Sequence, residues 1–176
     1  MGIFDFFKKK EPLNSVTQFE NENFNNLKDY YEKSILIDGN DIKLDLNFEA
    51  KETNNVELNL TNEFIAKLET YDKKNQTEFY NDFTNNAEST IKEYIEHHLD
   101  ELNNEEVNSI IKDDNSSDSN DKKLLKSLKL KRIGIYPYDK ENFAIFDYTI
   151  SEELTQYLIT VYLNSNGEIM DISMES

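Results

Sequence analysis

The chain has 176 residues, with 36 acidic side chains against 19 basic ones, a net charge of −17, 11 Phe, 10 Tyr and no Cys. That length suits one domain whose core needs no staples, and the missing cysteines exclude disulfides, thiolate nucleophiles and zinc–thiolate sites together. The charge repels nucleic acid and anionic membranes and favours a partner with a basic surface.

The chain opens on "MGIFDFFKKKEP". As a helix it would place Ile3, Phe4, Phe6 and Phe7 on one face and Asp5, Lys8 and Lys9 opposite, with Pro12 as its stop. The charges follow the apolar run and Asp5 interrupts it, so it does not read as a secretory signal. Residues 1–12 are therefore expected to be an amphipathic segment that docks on its own domain or on a partner. A membrane foot made of residues 3–10 is the other reading. Residues 13–176 are expected to form a single α+β domain.

An Asn- and Glu-rich lead-in over 13–30 precedes "SILIDGNDIKLDLNFEA", which predicts a β-hairpin. One strand holds Ile35 to Ile37, and the turn is Asp38-Gly39-Asn40. Ile42, Leu44, Leu46 and Phe48 then alternate with Lys43, Asp45, Asn47 and Glu49, the period of a strand with one wet face. Val56, Leu58 and Leu60 repeat the alternation briefly and suggest a third short strand.

The middle of the chain reads as helical. Thr61 or Asn62 caps a first helix with Phe64, Ile65, Leu68 and Tyr71 on its stripe. A long helix from about 77 to 102 carries Phe79, Phe83, Ala87, Ile91, Tyr94, Ile95, His98 and Leu102 at spacings of three and four. Asn104 caps a short helix with Val107, Ile110 and Ile111. "KDDNSSDSND" over 112–121 has no apolar residue and reads as a solvated loop. Asp121 then caps a helix with Leu124, Leu125 and Leu128.

The remaining chain predicts four strands with short polar connections, a four-stranded antiparallel meander whose last turn is "NSNG" at 164–167. Helices grouped between the hairpin and the meander predict packing on one face of the sheet.

No residue pattern demands an enzyme. The four glycines cannot build a phosphate-cradling loop, and no serine sits in a nucleophile elbow. His97 and His98 cannot share a metal from one regular helix. His98 reads as core-flanking, and His97 as solvated and paired with Glu93 or Glu101. A metal-dependent or hydrolytic enzyme using His97 and nearby carboxylates is the rival these residues allow. Asp147 interrupts "FAIFDY" and reads either as a partly buried functional acid or as an edge charge that discourages aggregation. Gly134, between two isoleucines, marks a bulge or a close approach. Arg132, the single arginine, falls in a basic patch with Lys122, Lys123, Lys126, Lys129 and Lys131, which neutralises the acidic loop and body. Both faces of the meander carry aromatics. Tyr136, Tyr138, Tyr148, Tyr157 and Tyr162, with Asp147, therefore form the candidate partner-binding set, with cross-strand tyrosine pairing as the alternative.

The "RIGIYP" and "FDYTI" strands, the "NGEI" turn and the terminal "MES" resemble an uncharacterised bacterial family, domain of unknown function two-thousand-and-four. The upstream "LIDGNDIKLDLNF" hairpin and "YIEHHLDEL" fit the same layout. The resemblance implies a small bacterial α+β protein and supplies no activity. Small acidic proteins of this type look like immunity proteins of bacterial toxin systems. The expectation is a cytoplasmic, non-enzymatic protein-binding domain without a cofactor, whose partner is another protein.

Overall fold

The alternation of Ile42, Leu44 and Leu46 with Lys43, Asp45 and Asn47 becomes strand β2 (Asn40–Asn47), paired antiparallel with β1 (Tyr30–Ile37). The computed structural model describes residues 28–48 and 54–176. The amphipathic segment 1–12, with Ile3, Phe4, Phe6 and Phe7, lies outside them. Asp38 and Gly39 take φ of 52° and 81° at the hairpin turn, where the sequence predicted it.

Five helices follow: α1 (Asn55–Ile65), α2 (Leu68–Asn85), α3 (Thr90–Glu101), α4 (Asn104–Ile111) and α5 (Asn120–Lys126). The third short strand expected at Val56, Leu58 and Leu60 is instead the first turns of α1. Local capping outweighs the alternation there: Asn54 Oδ1 accepts from the Val56 and Glu57 N–H groups at 2.9 and 3.2 Å, and Glu57 accepts from the Asn54 N–H. Neither Thr61 nor Asn62 is the cap.

The long helix over 77–102 is also corrected, because α2 and α3 are separate. The apolar stripe runs through the break, but Asp82 accepts from Asn86, from the Ser89 hydroxyl and from the Ile91 N–H. Ser89 in turn accepts from the Lys92 N–H at 2.9 Å, which starts α3. Asn103, one residue before the expected Asn104, caps α4. Asp121 lies in the first turn of α5, whose N-cap is Ser119.

Strands β3 (Lys129–Ile135), β4 (Ala144–Thr149), β5 (Leu158–Leu163) and β6 (Ile169–Glu175) complete the sheet. The order is β1-β2-β3-β4-β5-β6, with β2 and β3 parallel and every other pair antiparallel. Hairpin and meander are thus joined into one mixed six-stranded sheet. A parallel neighbour needs a long crossover, and the five helices supply it.

In register across the sheet, Leu44, Ile133, Phe146, Val161 and Ile172 form one inward row. The helices pack on this side. Phe79 of α2 meets the Tyr148 ring edge-on at 4.8 Å, and Phe64 of α1 lies 5.0 Å from Phe143. Burying each such aromatic side chain stabilises the fold by about 1.5–3 kcal/mol relative to exposure. A side-chain period of two then sends Lys43, Asp45, Arg132, Asp147 and Thr160 to the opposite face, left open by the described helices.

Candidate functional site on the open sheet face

Two rows cross the open face. Lys43, Arg132, Asp147, Thr160 and Ser173 are in register, and so are Asp45, Gly134, Ile145, Tyr162 and Asp171. Arg132 occupies the centre. Its Nε donates to Asp45 Oδ1 at 2.7 Å and its Nη2 to Asp45 Oδ2 at 2.9 Å, a bidentate fork. Its Nη1 donates to Asp147 Oδ2 at 2.8 Å.

The carboxylates have further support. Thr160 donates to Asp147 Oδ1 at 3.0 Å, and Asn47 donates to Asp45 Oδ2 at 3.0 Å. The Asp45 side chain is only 3% exposed and that of Arg132 29%. Burial alone would lower the guanidinium pKa. Hydrogen bonds to Asp45, Asp147 and Tyr136 outweigh it and hold Arg132 above its ordinary value. Two carboxylates around one guanidinium leave one negative charge in excess.

Gly134 explains how the cluster fits. A Cβ there would come within 2.9 Å of Arg132 Nη2 and 3.1 Å of the Tyr136 ring and hydroxyl, so glycine leaves room for both side chains. Tyr136 OH accepts from Arg132 Nη2 at 3.3 Å and keeps its own proton for another acceptor. Its ring packs edge-on against Tyr138, which is 50% exposed, at 6.3 Å. Tyr162 and Ile145 lie half-buried beside them.

The candidate set is therefore divided by the fold. Asp147 and Tyr136 contact Arg132, Tyr138 packs on Tyr136, and Tyr162 lies on the same face opposite Ile145. Tyr148 is corrected: it faces the helices, is fully buried, and donates to Asp72 at 2.9 Å while accepting from Asn75 at 3.0 Å. Burial, with the Asp72 charge beside it, pushes its hydroxyl well above the ordinary tyrosine value. Tyr157 lies apart from this face, because it precedes β5 and packs on His97 of α3 at 4.7 Å between centroids. Asp147 is not an edge charge, since β4 has a strand on each side. Sequence reasoning missed Asp45 and the central place of Arg132.

The histidines sit elsewhere, beside a cleft of about 390 Å³ lined by His97, His98, Glu101, Glu106, Thr155 and Tyr157. His98 is buried, as its stripe position predicted. Its Nδ1 lies 2.7 Å from the Tyr94 carbonyl, which can only accept, so Nδ1 carries the proton. Nε2 then accepts from the Thr155 hydroxyl at 2.7 Å. A hydroxyl beside an oriented imidazole has the outline of a nucleophile and base. Yet Thr155 Oγ1 also accepts from the Tyr157 N–H at 3.0 Å, which closes the loop, and Glu101 and Glu106 line the cleft where an oxyanion would need donors. Among the described residues His97 is not paired with an acid: no carboxylate lies within ion-pair distance of it, and its ring packs on Tyr157 and His98. Among the described residues no group of three His, Asp or Glu is placed to hold a metal ion. No described helix is long and apolar enough to cross a membrane.

Burial pushes the His98 imidazole below its ordinary value, the adjacent His97 charge adds to that, and the Tyr94 hydrogen bond opposes it. The unfolded chain then binds the proton first as pH falls, so this stabilisation is complete above about pH 6.5 and is lost as pH falls through the lower folded value. Asp72 works the other way: burial raises its carboxyl above the usual aspartate value, so its strain is relieved as pH falls through that raised value. Urea midpoints of the chain are expected to drop between pH 7.5 and 5.5, and His98→Gln to remove most of that drop. An unchanged drop in the variant assigns it to other groups.

Compared with family models, curated proteins and solved structures, the chain finds no match in any of the three.

Proposed function

We propose that this chain is a non-enzymatic, protein-binding domain that receives a partner with a basic surface on the open face of its sheet. The observation that carries the reading is that face. No described helix packs on it, and it holds tyrosines and Ile145 around a fixed Arg132–carboxylate cluster with excess negative charge. Tyrosines offer large contact area with little rotamer entropy to lose, and a pre-formed polar network needs no rearrangement on docking. The net charge of −17 supplies long-range attraction that speeds encounter with a basic partner.

A toxin-neutralising immunity protein, acting in the cytoplasm on a basic toxin domain, is the class that suits this size and charge best. In that role the domain would work by occupancy: steering first, then tyrosine-centred packing over the partner's working surface.

Affinity capture from native cells tests this. A specific basic protein is expected to be retained at about 50 mM salt and released at about 500 mM, because surface attraction is screened. Recovery of no specific protein at low salt removes the reading.

A further inference from the structure

We infer that β6 is a docking edge for an extended, basic segment of the partner, which adds to the sheet as a seventh strand. The inference rests on the protein-binding reading above and places part of the contact beside the open face rather than on it.

Three observations meet at this strand. First, β6 ends the sheet order, so on its far side every second residue presents an N–H and a C=O with no strand partner among the described residues. Edges are usually guarded by lysine, proline or a covering element. Strand β6 has no lysine or proline, though α3 comes close to it.

Second, its charge is of one sign. After Lys140 the sequence to Ser176 contains no Lys, Arg or His and seven acids. Asp147 is held by Arg132 and Glu152 by Lys131. Glu168, Asp171 and Glu175, at the start of β6 and along it, form no ion pair among the described residues. Pairing of two copies through β6 would set like charges across the ladder, which is destabilising. A basic strand would be drawn to the same edge.

Third, the apolar layer is incompletely covered there. Ile169, Ile172 and Met174 continue the inward rows but are only half-buried, and Met170 is 51% exposed. The register assigns the faces: Ile172 and Met174 lie on the helix side opposite Val161 and Ile159, and Asp171, Ser173 and Glu175 on the open side. The occupant is therefore specified by side-chain period as well as by charge. It is an extended segment with apolar residues alternating with Lys or Arg. The apolar set would complete the half-covered row, and the basic set would lie beside Asp171 and Glu175.

The other end of the sheet does not present the same chemistry. On β1, Glu32 pairs with Lys43 of β2 at 3.0 Å, and Lys33 lies in the strand itself.

The test uses the full chain and a synthetic peptide of about nine residues, a strand's length, alternating valine and lysine. Binding is followed by anisotropy and by amide hydrogen exchange. The expected result is saturable binding with new protection at alternate amides of β6. Methylating alternate peptide nitrogens on one edge should abolish it, and Asp171→Lys with Glu175→Lys should weaken it about tenfold. A scrambled peptide of the same composition that binds equally well, or protection that falls on the open face and not on β6, overturns the inference while leaving the protein-binding reading standing. So does a native partner whose affinity is untouched by the Asp171→Lys and Glu175→Lys pair. Absence of any specific native partner defeats the parent reading instead.

Discussion

Arg132→Met is expected to lower the unfolding free energy by about 3–5 kcal/mol, the cost of leaving buried carboxylates without their partner. Asp45 loses both arms of its fork and Asp147 the one cation that pairs with it among the described residues, while Asn47 and Thr160 cannot replace a full charge. For a domain of this size the change corresponds to a fall in Tm of about 6–20 °C. A second variant separates charge from packing. Adding Asp45→Leu and Asp147→Leu to Arg132→Met removes the orphaned charges and should recover most of the loss, since replacing a whole buried ion cluster with apolar side chains is often neutral. If the triple variant is no more stable than Arg132→Met, the loss lies in packing, and the electrostatic account of the cluster is wrong.

Gly167→Ala is expected to cost about 2–5 kcal/mol for two independent reasons. Gly167 holds a φ of 75° in the β5–β6 turn, where a Cβ costs roughly 1–2 kcal/mol. That Cβ would also overlap the ring carbons of Tyr71, which is packed against Phe64 at 4.5 Å and cannot swing away freely. Overpacking of this kind costs about 1–3 kcal/mol more. Lys74 donates to the Gly167 carbonyl at 2.8 Å, so the same turn fastens α2 to the sheet. Chemical denaturation of Gly167→Ala beside Gly39→Ala is informative. A Cβ at Gly39, at φ 81°, meets nothing within 4 Å and should show the backbone cost alone. Equal losses in the two variants would mean that Tyr71 yields without cost.

Much of the fold was legible because its signals are local. The strict alternation at Ile42–Phe48, the Asp38-Gly39 turn and the four apolar runs after Leu128 each determine their own element. Errors came where two local signals competed. Val56, Leu58 and Leu60 alternate like a strand, but the Asn54–Glu57 capping box starts a helix through them. The stripe from Phe79 to Leu102 is continuous in period, but Asp82 and Ser89 interrupt the backbone between α2 and α3.

The candidate site was legible only in part, for a non-local reason. Asp147 could be singled out as a charge inside an apolar run. Asp45 looked like one polar residue of an alternating strand. Its partner is 87 residues away and is brought beside it by the parallel pairing of β2 and β3. No periodicity within either strand reports that pairing. Tyr148 and Tyr136 looked equivalent as tyrosines near or within strands. Only the parity set by the final register separates the buried Tyr148, held by Asp72 and Asn75, from Tyr136 on the open face.

The most direct test of the central claim is the affinity of the captured partner for the chain and for its Tyr138→Ala, Tyr162→Ala double variant, whose melting should stay close to that of the parent. The account predicts a loss of at least 2 kcal/mol in binding, about thirtyfold in Kd, with little change in fold stability. A partner that binds both proteins equally well would contradict it.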